Sequence, residues 1–248
     1  MTSQLIYDGS FEGFLTAVFT IYELKLKDVT VVPAHHVQQG LFTEGSHVIT
    51  DQKKADRVWK GLRQFEFFRK NVYWSSFSEI AGHEDVMFEA IKYVLHTQNG
   101  KDYGHEHVLR VAQVAKMVGR EKHRMDAFIR FELTRDGIYF AKVEPDFNVL
   151  PLLISHFQER YADQSWIIYD LKRDYGIYYD MIKTVFIHID FNDVDLAGER
   201  FHESEKNYSQ LWQGYYDHTN IASRINLKLH TRHVPKRYWK YLNEKKPR

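Results

Sequence analysis

Apolar and polar positions follow two different rhythms along this chain. In the first half, short apolar runs lead into long stretches of helical period. "QLIY", then "DGS", then "FEGFLTAVFTIYEL" predicts a strand, a turn and a helix. Ser10 is the expected N-cap, because its hydroxyl can accept a free backbone N–H. "DVTVVPA" predicts a second strand, stopped by Pro33, and "GSHVITDQ" a third, ahead of a helix through "KKADRVWKGLRQF". Residues 74–98 carry helical period interrupted at Gly82. In "HEHVLRVAQVAKMVGREKHRM", Val108, Val111, Val114, Ala115 and Val118 fall on one helical stripe.

Near Asp126 the rhythm changes. "FIRFELTRDGIYFAKVEP" reads as a hairpin, with aromatic and β-branched residues on either side of "RDG". "NVLPLLISHFQERYA" reads as a helix, capped by Asn148 and tolerating Pro151 in its first turn. "SWIIYDLKRDYGIYYD" reads as a second hairpin around Gly176, extended by "TVFIHID". A long helix is expected over "ERFHESEKNYSQLWQGYYDHTNIASRI". The pieces predict an α+β fold: a central antiparallel sheet built from two hairpins flanking a helix (ββαββ), packed with N-terminal and C-terminal helices. We expect one compact domain over residues 1–248. Its parts are a mainly helical segment over 1–125, the ββαββ core over 126–195 and a helical basic segment over 196–248.

Composition narrows the chemistry. The 248 residues hold no cysteine, so disulfides, a thiolate nucleophile and an iron–sulfur cluster on this chain's own thiolates are excluded. No apolar run approaches the length of a membrane span, and the N-terminus lacks the pattern of a signal peptide, which leads us to expect a cytoplasmic protein without membrane contact. The formal net charge is only +1, yet it is unevenly placed. From Tyr216 onward there are nine Lys and Arg against two acidic residues, a net of +7, while residues 1–215 carry −6. A segregated basic end points to a polyanion or an acidic partner surface.

That end reads "TRHVPKRYWKYLNEKKPR". Pro235 suits the first turn of a helix through Leu242. On a helical wheel, Lys236, Arg237 and Lys240 share one side, and Tyr238, Trp239 and Leu242 the other. The basic side is then left to water while the aromatic side docks. Such a face can serve solubility alone. With Arg224, Lys228 and Arg232 just upstream, and with Trp239 as a stacking surface, it also fits a nucleic-acid backbone.

A second group of candidates lies in the predicted core. Val149, Leu153, Phe157 and Tyr161 face one way on their helix, and His156 and Arg160, four apart, flank that face. A guanidinium aimed at a sheet needs a carboxylate, for which Glu144 and Asp170 are placed by position. The set reads either as an ion pair joining helix to sheet or as a pocket for a phosphate or a base edge. Arg173 in "DLKRDYG" and His123 in "REKHRMDAFIRF" complete the candidate catalytic residues. Metal signals are poor: no HExxH occurs, and "HEH" at 105–107 places its histidines two apart, which do not face each other on a helix. No metal is expected.

Two long blocks carry a resemblance. "EKHRMDAFIRFELTRDGIYFAKVEPDFNVLPLLISHFQERYADQSWIIYDLKRDYGIYYD" and "RINLKLHTRHVPKRYWKYLNE" resemble the bacterial "probable DNA metabolism protein" family, as do "YDGSFEGFLTAVFTIYE" and "ADRVWKGL" nearer the start. Its recurring polar and aromatic positions correspond here to Glu121, His123, Arg130, Phe131, Glu144, Pro145, His156, Phe157, Arg160, Trp166, Asp170 and Arg173. Where the family often has Asn-Pro, this chain has Asn226-Leu227. Members are encoded beside a radical SAM protein of DNA modification or repair, and some are fused to a uracil-DNA glycosylase. The resemblance implies a DNA-related accessory role, with the iron–sulfur cluster and S-adenosylmethionine held only by the partner. Three readings follow: a DNA-binding accessory of a radical SAM enzyme, a nucleotide- or base-processing enzyme in its own right, or a protein whose tail grips an acidic partner.

Overall fold

β1 (Ser3–Tyr7) is buried through Leu5, Ile6 and Tyr7 alike, as a strand covered on both faces must be. The computed structural model describes residues 3–37, 45–189 and 233–242, together with 211, 231 and 245. It is a mixed α/β structure that divides into two compact units, residues 1–119 and 120–248.

In the first unit β1 is flanked by β2 (Val29–Pro33) and β3 (Gly45–His47), both parallel to it. The chain leaves β1 through Asp8-Gly9-Ser10 and enters α1 (Phe11–Glu23), where Ser10 Oγ accepts from the Gly13 N–H at 2.9 Å, the cap expected from sequence. Asp8 in turn accepts from Ser10 Oγ at 2.6 Å and from Thr50 Oγ1 at 2.8 Å. Then follow α2 (Gln52–Gly61), α3 (Glu66–Ser75), α4 (His83–Thr97) and α5 (Glu106–Phe128), the last running on into the second unit. Gly82 precedes α4 at φ +74°, a left-handed conformation that ends one helical stretch before the next begins. The predicted stripe of α5 is buried from Val108 to Val118.

Two polar side chains enter this core at the start of α4. Glu84 accepts from Tyr7 Oη at 3.4 Å, and burial raises its carboxyl above the ordinary range. His83 is 3% exposed; burial, then the nearby Arg110, depress its imidazole to about 4.

The second unit holds a five-stranded sheet ordered β4-β5-β6-β7-β8, from β4 (Glu132–Leu133), β5 (Tyr139–Val143), β6 (Trp166–Asp170), β7 (Tyr175–Tyr179) and β8 (Thr184–Ile187). Both expected hairpins are present, but the sheet is mixed, not antiparallel throughout: its central pair, β5 and β6, is parallel. The helix between them, α6 (Leu150–Arg160), has 11 residues and rises about 16 Å, the length of a five-residue strand at about 17 Å. It carries the chain back along the sheet, so β6 starts at the end where β5 started. Leu153, Phe157, Trp166, Ile168 and Ile177 form the core between α6 and the sheet.

Local details partly follow expectation and partly differ. Gly137 takes φ +76° in the first hairpin, as its turn requires. The second hairpin does not turn at Gly176, which lies within β7 opposite Tyr169. Its turn is closed by Asp170, whose Oδ1 accepts from the N–H groups of Lys172 and Arg173. A side chain at 176 would meet the Tyr169 ring at 2.7 Å and the Ile168 carbonyl at 2.9 Å. Asn148 does not cap α6; its Oδ1 is taken by Tyr175 Oη. Of the long helix expected over residues 199–225, all but residue 211 lies outside the described residues.

A candidate anion-binding cleft

After Pro235 the chain forms a six-residue 3₁₀ helix, Lys236–Tyr241, not the α-helix drawn on the wheel. With three residues per turn, side chains three apart eclipse. Arg237 therefore stands over Lys240, and Lys236 over Trp239. The division into wet and docked sides holds: Tyr238 and Leu242 are buried, while Lys236, Arg237 and Lys240 are exposed. Trp239 is half-buried, donating its indole N–H to the Val234 carbonyl at 3.0 Å, with the Lys236 ammonium 5.9 Å from its ring.

Glu121 anchors this segment. It is 1% exposed on α5 and fully hydrogen-bonded. Oε1 accepts from Tyr238 Oη and from the Asp146 N–H at 2.9 Å. Oε2 accepts from Arg124 at 3.3 Å and Arg237 at 3.5 Å. Burial, then the bond to Glu121, push the Tyr238 phenol far above its ordinary value. Sequence reasoning assigned Glu121 no structural role, although the signal was present. It sits three residues after Val118 and four before Met125, on the apolar stripe of α5, where a carboxylate must find donors.

The tail faces the segment that follows β5 and the β6–β7 turn. Together they enclose an open cleft of about 590 Å³ lined by Glu144, Pro145, Asp146, Lys172, Lys236, Arg237 and Lys240. Arg173 braces its wall from beneath, donating to the carbonyls of Pro145 and Asp146, each at 3.1 Å, and to Asp170 Oδ2 at 2.8 Å. Asp170 is wholly buried, and this ion pair holds the hairpin turn to the chain after β5.

Two tail cations carry counter-ions from the body. Lys240 donates to Glu144, and Arg237 pairs with Asp146 at 2.5 Å. The contact with Lys240 holds the Glu144 carboxyl below its usual range, and Glu144 raises Lys240 in return. Burial raises the Tyr241 phenol to about 12. Lys236 and Lys172 have no carboxylate partner among the described residues; Lys172 reaches only the Asp146 carbonyl, at 3.4 Å.

The other sequence candidates fall elsewhere. Glu144 and Asp170 were expected to meet Arg160 and do not. β5 and β6 are parallel, with Val143 opposite Asp170, so both carboxylates sit at the strands' carboxyl ends. His156 and Arg160 occupy the last turns of α6, which has by then returned to the opposite end of the sheet. Arg160 is exposed and lies along Tyr161, 5.7 Å from its ring. His156 is half-buried, edge-on to Phe157. His123 is exposed on α5. Arg224, Lys228 and Arg232 lie outside the described residues. Among the described residues no group of three His, Asp or Glu stands together as metal ligands, and no helix is long and apolar enough to cross a membrane.

No curated protein matches the chain. The family described as a domain of unknown function, DUF4130, matches residues 81–244, a span that takes in all of the described cleft. It covers more than half of the sequence, and the chain belongs to the DUF4130 family.

Proposed function

We propose that this chain binds nucleic acid through the cleft, as the DNA-contacting accessory of a radical SAM enzyme of DNA modification or repair. The observation that carries the binding reading is the cleft's lining: four cations, Lys172, Lys236, Arg237 and Lys240, against two carboxylates, Glu144 and Asp146. The excess of positive charge faces open solvent from a fixed wall, which suits the phosphates of a strand. Its two ion pairs are exposed and so individually weak, about 0–1 kcal/mol each, and a phosphate can replace the carboxylates at little cost. The partner reading rests on the family resemblance; with no cysteine in this sequence, a thiolate-bound cluster would have to be the partner's.

Fluorescence anisotropy with a labelled oligonucleotide, titrated at several salt concentrations, tests the binding. Affinity should fall steeply with salt, with a log–log slope of about −0.7 per phosphate for single strands and about −0.9 for duplex. The double variant Lys172→Glu, Lys236→Glu should weaken binding to all sequences alike. No binding at low salt, or binding indifferent to both changes, would refute it. Co-purification with the radical SAM neighbour after nuclease treatment tests the partner separately.

A further inference from the structure

The cleft contains its own competitors. Glu144 holds Lys240, and Asp146 holds Arg237. All four side chains are between 36% and 58% exposed, so neither pair is a structural strut. The buried duties are performed by others: Glu121 anchors the tail, and Asp170 with Arg173 braces the wall. Glu144 and Asp146 are left as exposed anions where an incoming phosphate would sit.

We infer that Glu144 and Asp146 act as a charge threshold, yielding Lys240 and Arg237 to a strand with several linked phosphates and withholding them from a single phosphate group. This rests on the nucleic-acid reading above. A lone phosphate that takes Lys240 or Arg237 must break one weak ion pair to make another, and it then faces the displaced carboxylate, so it gains nothing. A strand is different. Its first phosphate settles on Lys172 and Lys236, which need not be freed. Its next phosphates are then delivered at high effective concentration to Arg237 and Lys240. The ligand that engages all four cations is therefore an oligonucleotide, not a mononucleotide or inorganic phosphate.

The test is the double variant Glu144→Gln, Asp146→Asn. Both side chains are exposed, and the Asp146 N–H and carbonyl that bond Glu121 and Arg173 are kept, so an unchanged melting temperature is the control for folding. Anisotropy with a labelled single-stranded oligonucleotide reads affinity; calorimetry with inorganic phosphate and with thymidine monophosphate reads the threshold. Wild type should bind the oligonucleotide and take either small anion only weakly, at Lys172 and Lys236. The variant should bind both the oligonucleotide and thymidine monophosphate several-fold more tightly than wild type does. Its salt slope should stay close to that of wild type, because the same four cations meet phosphates in both proteins. If the variant matches wild type for every ligand while Lys172→Glu, Lys236→Glu still weakens the oligonucleotide, the threshold is wrong and the binding site stands. Small anions bound as tightly by wild type as by the variant also overturn the threshold. If neither protein binds the oligonucleotide at low salt, the nucleic-acid reading fails and takes this inference with it.

Discussion

Tyr238 donates its phenolic proton to Glu121, a carboxylate 117 residues earlier in the chain, and both side chains are almost wholly buried. The bond ties the basic 3₁₀ turn to α5 and so fixes where Arg237 and Lys240 stand.

Replacing Tyr238 with Phe keeps the ring and removes the donor. Glu121 then retains Arg124, Arg237 and one backbone N–H, but has lost one of four bonds to a buried charge. The expected loss is about 1–3 kcal/mol, read as a lower denaturation midpoint at unchanged slope. A loss below about 0.5 kcal/mol would mean that the turn is anchored by packing alone.

Asp170→Ala should be more damaging. It leaves the Arg173 guanidinium, 9% exposed, without its carboxylate and also opens the turn after β6. Breaking a buried pair from one side costs about 3–5 kcal/mol. Asp170→Asn keeps an oxygen for the turn and should fall between the two. Thermal unfolding of the three proteins gives the order directly; equal stabilities would show that the wall after β5 needs no brace.

His83 makes stability sensitive to acid. Unfolded, its imidazole takes a proton near 6.5; folded, only near 4. Between these values the unfolded chain binds more protons, so stability is complete above about pH 6.5 and falls as the pH drops towards 4. The loss is on the order of 3 kcal/mol at its limit. His83→Gln should remove this component, and the difference between the two pH–stability profiles isolates it from Glu84. Parallel profiles from pH 7 to 4 would contradict the assignment.

What could be read from sequence was local. Asp8-Gly9-Ser10 announced the start of α1 because a cap and its turn lie within three residues, and Pro33 ended β2 by its own chemistry. The tail's wet and dry sides were legible because even a change from 100° to 120° per residue leaves Tyr238 and Lys240 apart. The pairing of β5 with β6 was not, since two hairpins around a helix fit either an antiparallel or a mixed sheet. The same gap misplaced Arg160: a wheel gives a residue's angle about its own helix, not which end of a sheet that helix has reached. Lys172 and Asp146 went unnoticed as cleft residues because what joins them is the fold of the hairpin turn back onto the chain after β5.

Gly176 has no room for anything beyond hydrogen, because one obstacle is a carbonyl of the neighbouring strand that no rotamer change can move aside. Its codon is thus free to drift only silently. Natural variants should keep glycine here even where Tyr169 changes, because the Ile168 carbonyl stays whatever side chain follows it.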